Sequence, residues 1–306
     1  MSKISVIIPI YNEETNIQVL YERLKKVLNG IELEHELLFV NDGSQDQSIQ
    51  VIKQLAELDI HVRYIDFSRN FGHQIAVTAG IDAVHSEYVV IIDADLQDPP
   101  ELIPEMYEKM KQGFEVVYAR RRSRKGEHFL KKVTAKLFYR ILTSITHISI
   151  PLDTGDFRIM HKKVVDVLKT MPEQDKFLRG QISWIGFNQS YVEYDRDERL
   201  SGTTGYTYSK MIKFALDGIT SFSNFPLKVA SYLGFVVSFF SFLLILYALY
   251  SRLVSKHFVP GWASIMICVL FLGGVQLISI GIIGEYISRM GNNIRKRPLY
   301  IVKDQN

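Results

Sequence analysis

Two stretches near the C-terminus, residues 229–250 and 263–284, contain no charged side chain. Each is about 20 residues long, the length a helix needs to cross a hydrocarbon core of ~30 Å. Runs this long and this free of charge are unusual for soluble helices, so this part of the chain reads as a pair of transmembrane helices. The short link between them holds Arg252, Lys256, His257, Pro260 and Gly261, as a hairpin turn would. Trp262 and several tyrosines fall near the expected interfaces, where aromatic belts form. Lys210, Lys213 and Lys228 precede the first span, and Arg289, Arg295, Lys296, Arg297 and Lys303 follow the second; the link carries Arg252 and Lys256. The positive-inside bias predicts both termini in the cytosol, with the chain a multi-pass protein of the cytoplasmic membrane.

Residues 1–225 have the composition of an ordinary soluble domain. A net charge of +3 with 23% charged residues argues against a disordered chain or one that coats nucleic acid. The single cysteine, Cys268, lies in the apolar region, so neither a disulfide framework nor a thiolate metal cluster is expected. No basic segment and apolar signal core precede the strand-like run at 4–10, which predicts that the first domain stays in the cytosol. Segments 129–142 and 208–216 interleave basic and apolar residues at helical spacing. Such helices can lie in the headgroup plane and press a soluble domain onto the bilayer, although an ordinary surface helix has the same pattern. The expected organisation is a domain over 1–205, a juxtamembrane amphipathic helix over 206–228, two spans over 229–284 and a basic tail over 285–306.

Within the first domain, strand-like runs at 4–10, 36–41, 62–67, 88–93 and 115–119 alternate with helical stretches that begin near Glu14, Asp46, His73 and Glu101. That alternation predicts an α/β domain, a mainly parallel sheet with helices on both faces. No Gly-x-Gly-x-x-Gly turn follows the first strand and no Gly-Lys-Ser/Thr loop occurs, which argues against dinucleotide oxidoreductases and P-loop enzymes.

The chemistry lies where strands end. Pro9-Ile-Tyr-Asn-Glu13 follows the first, Asn41-Asp-Gly-Ser44 the second and Asp93-Ala-Asp-Leu-Gln-Asp98 the fourth. Open parallel sheets bind ligands at their carboxyl edge, so acids at three strand ends converge on one crevice. Asp42 has the character to accept hydrogen bonds from a base or ribose. Asp95 offers a hard oxygen suited to Mg²⁺ or Mn²⁺ bridging a diphosphate. Each motif also has a plain reading, as Asn-Asp-Gly is a good turn and Asn12-Glu13 a good helix start; their recurrence at successive strand ends favours function.

In this order the motifs resemble family 2 glycosyltransferases of the GT-A type. Ser68-Arg-Asn-Phe-Gly-His73, Asp93-Ala-Asp-Leu-Gln-Asp-Pro-Pro100, Thr154-Gly-Asp-Phe-Arg158 and the two spans are similar to the polyisoprenyl-phosphate glycosyltransferases, among them dolichol-phosphate mannose synthases and undecaprenyl-phosphate glucosyltransferases. The resemblance extends to about residue 290. It implies a GT-A (Rossmann-like) catalytic domain with a two-helix transmembrane hairpin. It assigns Pro9, Tyr11, Glu13 and Asp42 to the nucleotide, Asp93 to the sugar-nucleotide, and Asp95 and Gln97 to Mg²⁺ or Mn²⁺. Arg120 would meet the acceptor phosphate, Arg199 would contact phosphates from a loop, and Asp156 matches the family's proposed catalytic base. Two positions depart from the pattern that the resemblance implies: Asn41 stands where an acid is usual, and Gly205 where many members have a lysine, so that either Lys210 substitutes for it or the loop works differently.

The implied reaction is inverting transfer of one hexose, by default from UDP-glucose, to a polyisoprenyl phosphate, making a lipid-linked sugar donor for the cell envelope. A phosphate monoester has a second pKa near ~6. The nucleophile is then largely ionised, and Asp156 orients it, takes its last proton, or supports Arg158. Arg120-Arg-Arg-Ser-Arg-Lys125 independently suggests cations near a headgroup phosphate. A processive synthase would need a Gln-x-x-Arg-Trp element, which Gln181-Ile-Ser-Trp184 lacks. A transporter would need ionisable residues inside its spans. A catalytically silent, membrane-tethered binding or scaffold protein is the remaining class. Gly273, Gly274, Gly281 and Gly284 suit close packing in a homo-oligomer. Translocation of the product and its later use would fall to a separate flippase and a downstream glycosyltransferase.

Overall fold

The computed structural model describes residues 3–122, 154–195, 223, 225–250 and 261–306. The chain divides into two compact units, Met1–Thr207 with Arg297–Asn306, and Tyr208–Lys296. The first is built on an eight-stranded sheet. In chain order its elements are β1 (Lys3–Ile10), α1 (Ile17–Leu28), β2 (Glu34–Asn41), α2 (Ser48–Leu58), β3 (Val62–Phe67), α3 (His73–Ala83), β4 (Tyr88–Ile91), a 3-10 turn (Pro100–Leu102), α4 (Ile103–Lys111), β5 (Val116–Arg121), β6 (Thr154–His161), α5 (Lys162–Thr170), α6 (Leu178–Ile185), β7 (Gln189–Tyr194) and, at the C-terminus, β8 (Val302–Gln305). The sheet order is β7-β5-β6-β4-β1-β2-β3-β8.

Strands β1 to β4 are mutually parallel, as alternation with helices requires. Apolar runs rich in β-branched residues suit them because both faces are covered. Ile4, Val6, Ile8 and Ile10 of β1 join one core with Leu20 and Leu24 of α1 and Ile103 and Met106 of α4. Ile7, one residue out of phase, joins the other core with Ala76, Val77 and Ala79 of α3. Each fully buried isoleucine, leucine, valine or methionine among them stabilises the fold by about 1.5–3 kcal/mol. Helix α3 lies so close to β1 that a Cβ on Gly80 would run into Ile7 Cγ2.

Three strands lie outside the five runs expected from the sequence. The segment Thr154–His161 becomes β6, inserted antiparallel between β4 and β5. Strand β7 pairs parallel with β5. The C-terminal tail supplies β8, antiparallel to β3, where the sequence suggested only a basic extension. Its four residues are polar or charged apart from Val302, so no period-2 signal marks them.

The second unit comprises α7 (Phe225–Tyr250) and α8 (Trp262–Arg295). Apolar side chains are exposed along both, as with Phe235 at 75% and Leu277 at 72%. Among the described residues, Phe271–Arg295 is long and apolar enough to cross a membrane. Tyr286 Oη donates to the Ser223 carbonyl at 2.6 Å. The link at 251–260, the amphipathic segments 129–142 and 208–216, and the Arg199 loop with Gly205 and Lys210 lie outside the described residues.

Candidate active site

The loops after β1, β2 and β3 are knitted by their own polar side chains. Asn12, left-handed at φ 56°, receives the Gln45 amide on Oδ1 at 2.8 Å, and its own N–H donates to Ser44 Oγ at 3.0 Å. Asp42 is 2% exposed and accepts from the Phe71 amide at 2.6 Å and the Gly72 amide at 3.0 Å. Gly43 packs beneath that loop at φ +64°, and a Cβ there would run into the Arg69 carbonyl carbon. Glycine is required both by the dihedral and by the approach. Asn41 donates Nδ2 to the buried Asp66 Oδ1 at 2.7 Å. An amide satisfies that carboxylate, whereas a second acid would repel it.

After β4, Leu96 adopts φ 60° while only 5% exposed. For a branched side chain this region costs about 1–2 kcal/mol, strain of the kind that gathers at functional sites. The reversal lets the Gln97 amide donate to Asp95 Oδ1 at 3.1 Å. Asp98 is fully buried; it accepts from Tyr194 Oη and lies 3.7 Å from Arg121 Nη2, which pins the loop to β5 and β7.

A charged cluster occupies the centre. Asp156, on β6 and 9% exposed, accepts from Arg179 Nε at 2.8 Å, His73 Nε2 at 3.1 Å, Arg158 Nη2 at 3.3 Å and Gln74 Nε2 at 3.4 Å. Burial would raise its pKa, but Arg179, the His73 hydrogen bond and Arg158 hold it well below the usual carboxylate range. Asp93 lies 3.6 Å from His73, and its Oδ1 takes no hydrogen bond. Burial pushes Asp93 up to about 6 against the pull of His73, with Asp156 adding to the rise. Burial disfavours a charged His73, yet Asp93 and the bond to Asp156 outweigh it and raise the imidazole to about 9. Arg158 is brought down to about 10 by burial.

The remaining residues expected to act are spread around this centre. Pro9 is buried in β1 opposite Val40, Tyr11 is 45% exposed, and Glu13 accepts from Asn16 Nδ2 at 2.6 Å. Asp95 is partly exposed and Gln97 is buried. Arg120 stands apart from the cluster: it bonds Glu193, and its guanidinium lies 3.9 Å from the centroid of Tyr191. The sequence reading missed His73 and Arg179 as members of the site. His73 sat inside a recognised motif with no role attached. Arg179 has no local signal, because only the packing of α6 brings it to β6.

A model described as glycosyl transferase family 2 matches residues 5–168, and one described as the GtrB C-terminal hairpin matches residues 225–290. The chain belongs to glycosyl transferase family 2. The glycosyltransferase is 52% identical to the uncharacterized glycosyltransferase YkcC of Bacillus subtilis, with 98% of this chain and 93% of that one covered. It is 42% identical to the SfII prophage-derived bactoprenol glucosyl transferase of Shigella flexneri, with 98% and 97% covered. A solved glucosyl-3-phosphoglycerate synthase from Mycobacterium tuberculosis aligns at TM-score 0.49 and 18% identity, covering 72% of this chain and 76% of that one. The C-terminal hairpin associates the glycosyltransferase with a membrane.

Proposed function

We propose that this glycosyltransferase moves one glucose from UDP-glucose to a polyisoprenyl phosphate at the cytoplasmic face of the membrane, inverting the anomeric carbon. The observation that carries this reading is similarity along nearly the whole chain, hairpin included, to a bactoprenol glucosyl transferase. The cluster at the strand ends supports it, because it offers cations to phosphates beside acids suited to a sugar-nucleotide.

In this reading a phosphate oxygen of the acceptor attacks the anomeric carbon on the face opposite the nucleotide. The new C–O bond forms as the bond to the β-phosphate oxygen breaks, and UDP leaves with the electron pair. The acceptor phosphate, with a second pKa of ~6, arrives largely ionised, so the step needs no strong base. Asp156 is saturated by donors and held below the usual carboxylate range. Its part is to fix Arg179 and His73 in place. Arg179, with a side chain 26% exposed, is the cation best set to meet phosphate charge. Asp93 lies beside the sugar. Tyr11 covers the base, Pro9 and Glu13 shape the same pocket, and Asp42 holds the 71–72 backbone that borders it. Arg120, once released from Glu193, and Arg199 serve the acceptor and donor phosphates.

Asp95 and Gln97 offer hard oxygens at the strand end, and the unbonded Oδ1 of Asp93 lies on the same loop. That donor set fits Mg²⁺ or Mn²⁺. His73, Asp93 and Asp156 also present ligand atoms within 4.8 Å of one another. Their cluster already contains His73, Arg158 and Arg179 as its own cations, which disfavours a further one there. Bound at Asp95 and Gln97, the metal would neutralise charge on the departing diphosphate. The membrane arrangement proposed keeps both termini in the cytosol. Homo-oligomers are compatible with the open glycine positions of α8, and the product would need a separate flippase and a downstream glycosyltransferase.

Purified full-length protein with undecaprenyl phosphate, Mn²⁺ or Mg²⁺ and a panel of nucleotide-sugars tests this directly. One hexose added to the lipid from UDP-glucose, read by mass spectrometry and lost in Asp95→Ala or with chelator, is the expected result. A folded preparation that glycosylates no polyisoprenyl phosphate from any donor refutes it.

A further inference from the structure

The C-terminal tail returns to the sheet at Arg297, directly after α8. Strand β8 covers the outer edge of β3, which would otherwise expose unpaired backbone groups. The tail is held closely for so short a segment. Lys53 pairs with Asp304, Tyr64 Oη donates to Asp304 at 3.1 Å, and the Tyr64 amide donates to Asn306 Oδ1 at 2.7 Å. The Ser68 amide donates to the Ile301 carbonyl at 3.0 Å.

Tyr300 occupies a particular place in this arrangement. Its ring stacks on Phe67, the last residue of β3, with centroids 5.1 Å apart and planes 18° apart. Its hydroxyl donates to Asp82 Oδ2 of α3 at 3.2 Å. Phe67 in turn meets Phe71 edge-on at 5.6 Å. Tyr300 therefore touches both elements that the 68–72 loop joins: the last residue of the strand that enters it and, near its C-terminal end at Asp82, the helix that leaves it. That helix begins at His73, whose imidazole lies between Asp93 and Asp156. The Ser68 bond to Ile301 fixes the loop's first residue from the same side. Within the loop, Asp42 accepts from the Phe71 and Gly72 amides, and Tyr300 adds a second hold from the side of the tail.

We propose that Tyr300 is a positioning residue for glycosyl transfer, holding the 68–72 loop so that His73 stays seated between Asp93 and Asp156. The inference rests on the proposed function for its catalytic consequence and on the observed contacts for its mechanical one. The hairpin's own continuation thus sets the geometry of the reacting centre. Positioning errors of about 1 Å cost on the order of a hundredfold in rate, so partial loosening predicts a loss of roughly tenfold.

The test uses full-length protein carrying Tyr300→Ala and Tyr300→Phe. Hydrogen exchange, read by mass spectrometry, should rise in peptides spanning 68–73 in the alanine variant while β1 and β2 stay protected. The alanine variant is also expected to lose about tenfold in kcat with both KM values within about twofold. Tyr300→Phe keeps the stack and restores most of kcat. Should the alanine variant fold poorly, Tyr300→Leu keeps much of the volume and serves the same comparison. Unchanged exchange at 68–73 overturns the proposal, as does faster exchange with wild-type kcat. A wild-type enzyme that transfers no sugar to lipid overturns the proposed function instead, and the exchange result then stands by itself.

Discussion

Replacing Asp156 by asparagine separates two roles that give similar losses of activity. A general base contributes little to folding, whereas a carboxylate that gathers cations contributes a great deal. Asp156 accepts from Arg179 at 2.8 Å, His73 at 3.1 Å and Arg158 at 3.3 Å, and Arg158 is 5% exposed. Removing the charge leaves a buried guanidinium beside two other cations. Breaking a buried ion pair costs about 3–5 kcal/mol, and asparagine, which keeps one acceptor oxygen, falls near ~3 kcal/mol. In a domain of this size each kcal/mol moves Tm by about 2–4 °C, so Asp156→Asn is expected to melt roughly 6–12 °C lower. The assay is thermal unfolding of the detergent-solubilised full chain, followed by intrinsic fluorescence that includes Trp184 on α6. Combining Asp156→Asn with Arg179→Gln should cost less than the sum of the two single changes, because the second relieves the repulsion left by the first. A Tm within about 1 °C of wild type together with a collapse of kcat would refute this reasoning and return Asp156 to the role of base.

Three further outcomes are expected. Gly43→Ala forces a methyl group against the Arg69 and Asn70 backbone from a left-handed φ. It should destabilise by at least about 1–2 kcal/mol and raise the donor KM, checked by denaturant unfolding and a UDP-glucose titration. Asp59 is 9% exposed; burial opposes its charge, but bonds from Lys25, the His61 amide and Tyr21 bring it down to about 2. Its stabilising contribution is then complete above the unfolded value near ~4 and is lost as pH falls toward 2; discounted for the exposed Lys25 it amounts to about 1–2 kcal/mol. Wild type and Asp59→Asn should therefore differ in unfolding free energy at pH 6 and converge at low pH. Arg120→Ala should raise the KM for polyisoprenyl phosphate several-fold with the UDP-glucose KM unchanged; an equal rise in both would remove Arg120 from acceptor recognition.

Much of the first unit was legible because its physics is local. The runs at 4–10 and 88–92 are rich in isoleucine and valine, and the run at 37–40 is wholly apolar, as strands covered on both faces require. The acids after β1, β2 and β4 were placed at one edge by the parallel alternation alone. Segment 154–161 was harder to read. Thr154-Gly-Asp-Phe-Arg158 drew attention as a motif, but nothing in its composition announces an antiparallel strand between β4 and β5.

The amino-acid sequence by itself determined the class of the fold, the C-terminal hairpin and the clustering of acids at strand ends, since each follows from periodicity, charge or residue type within a short window. Tertiary structure alone decided how the charges are shared. It took Arg179 from α6 and His73 from α3 to one carboxylate on β6, and it turned Arg120 toward Glu193. It also carried the last residues back to the edge of β3. Such pairings depend on distances between segments remote in the chain, and those distances are set by how the two cores pack against the sheet.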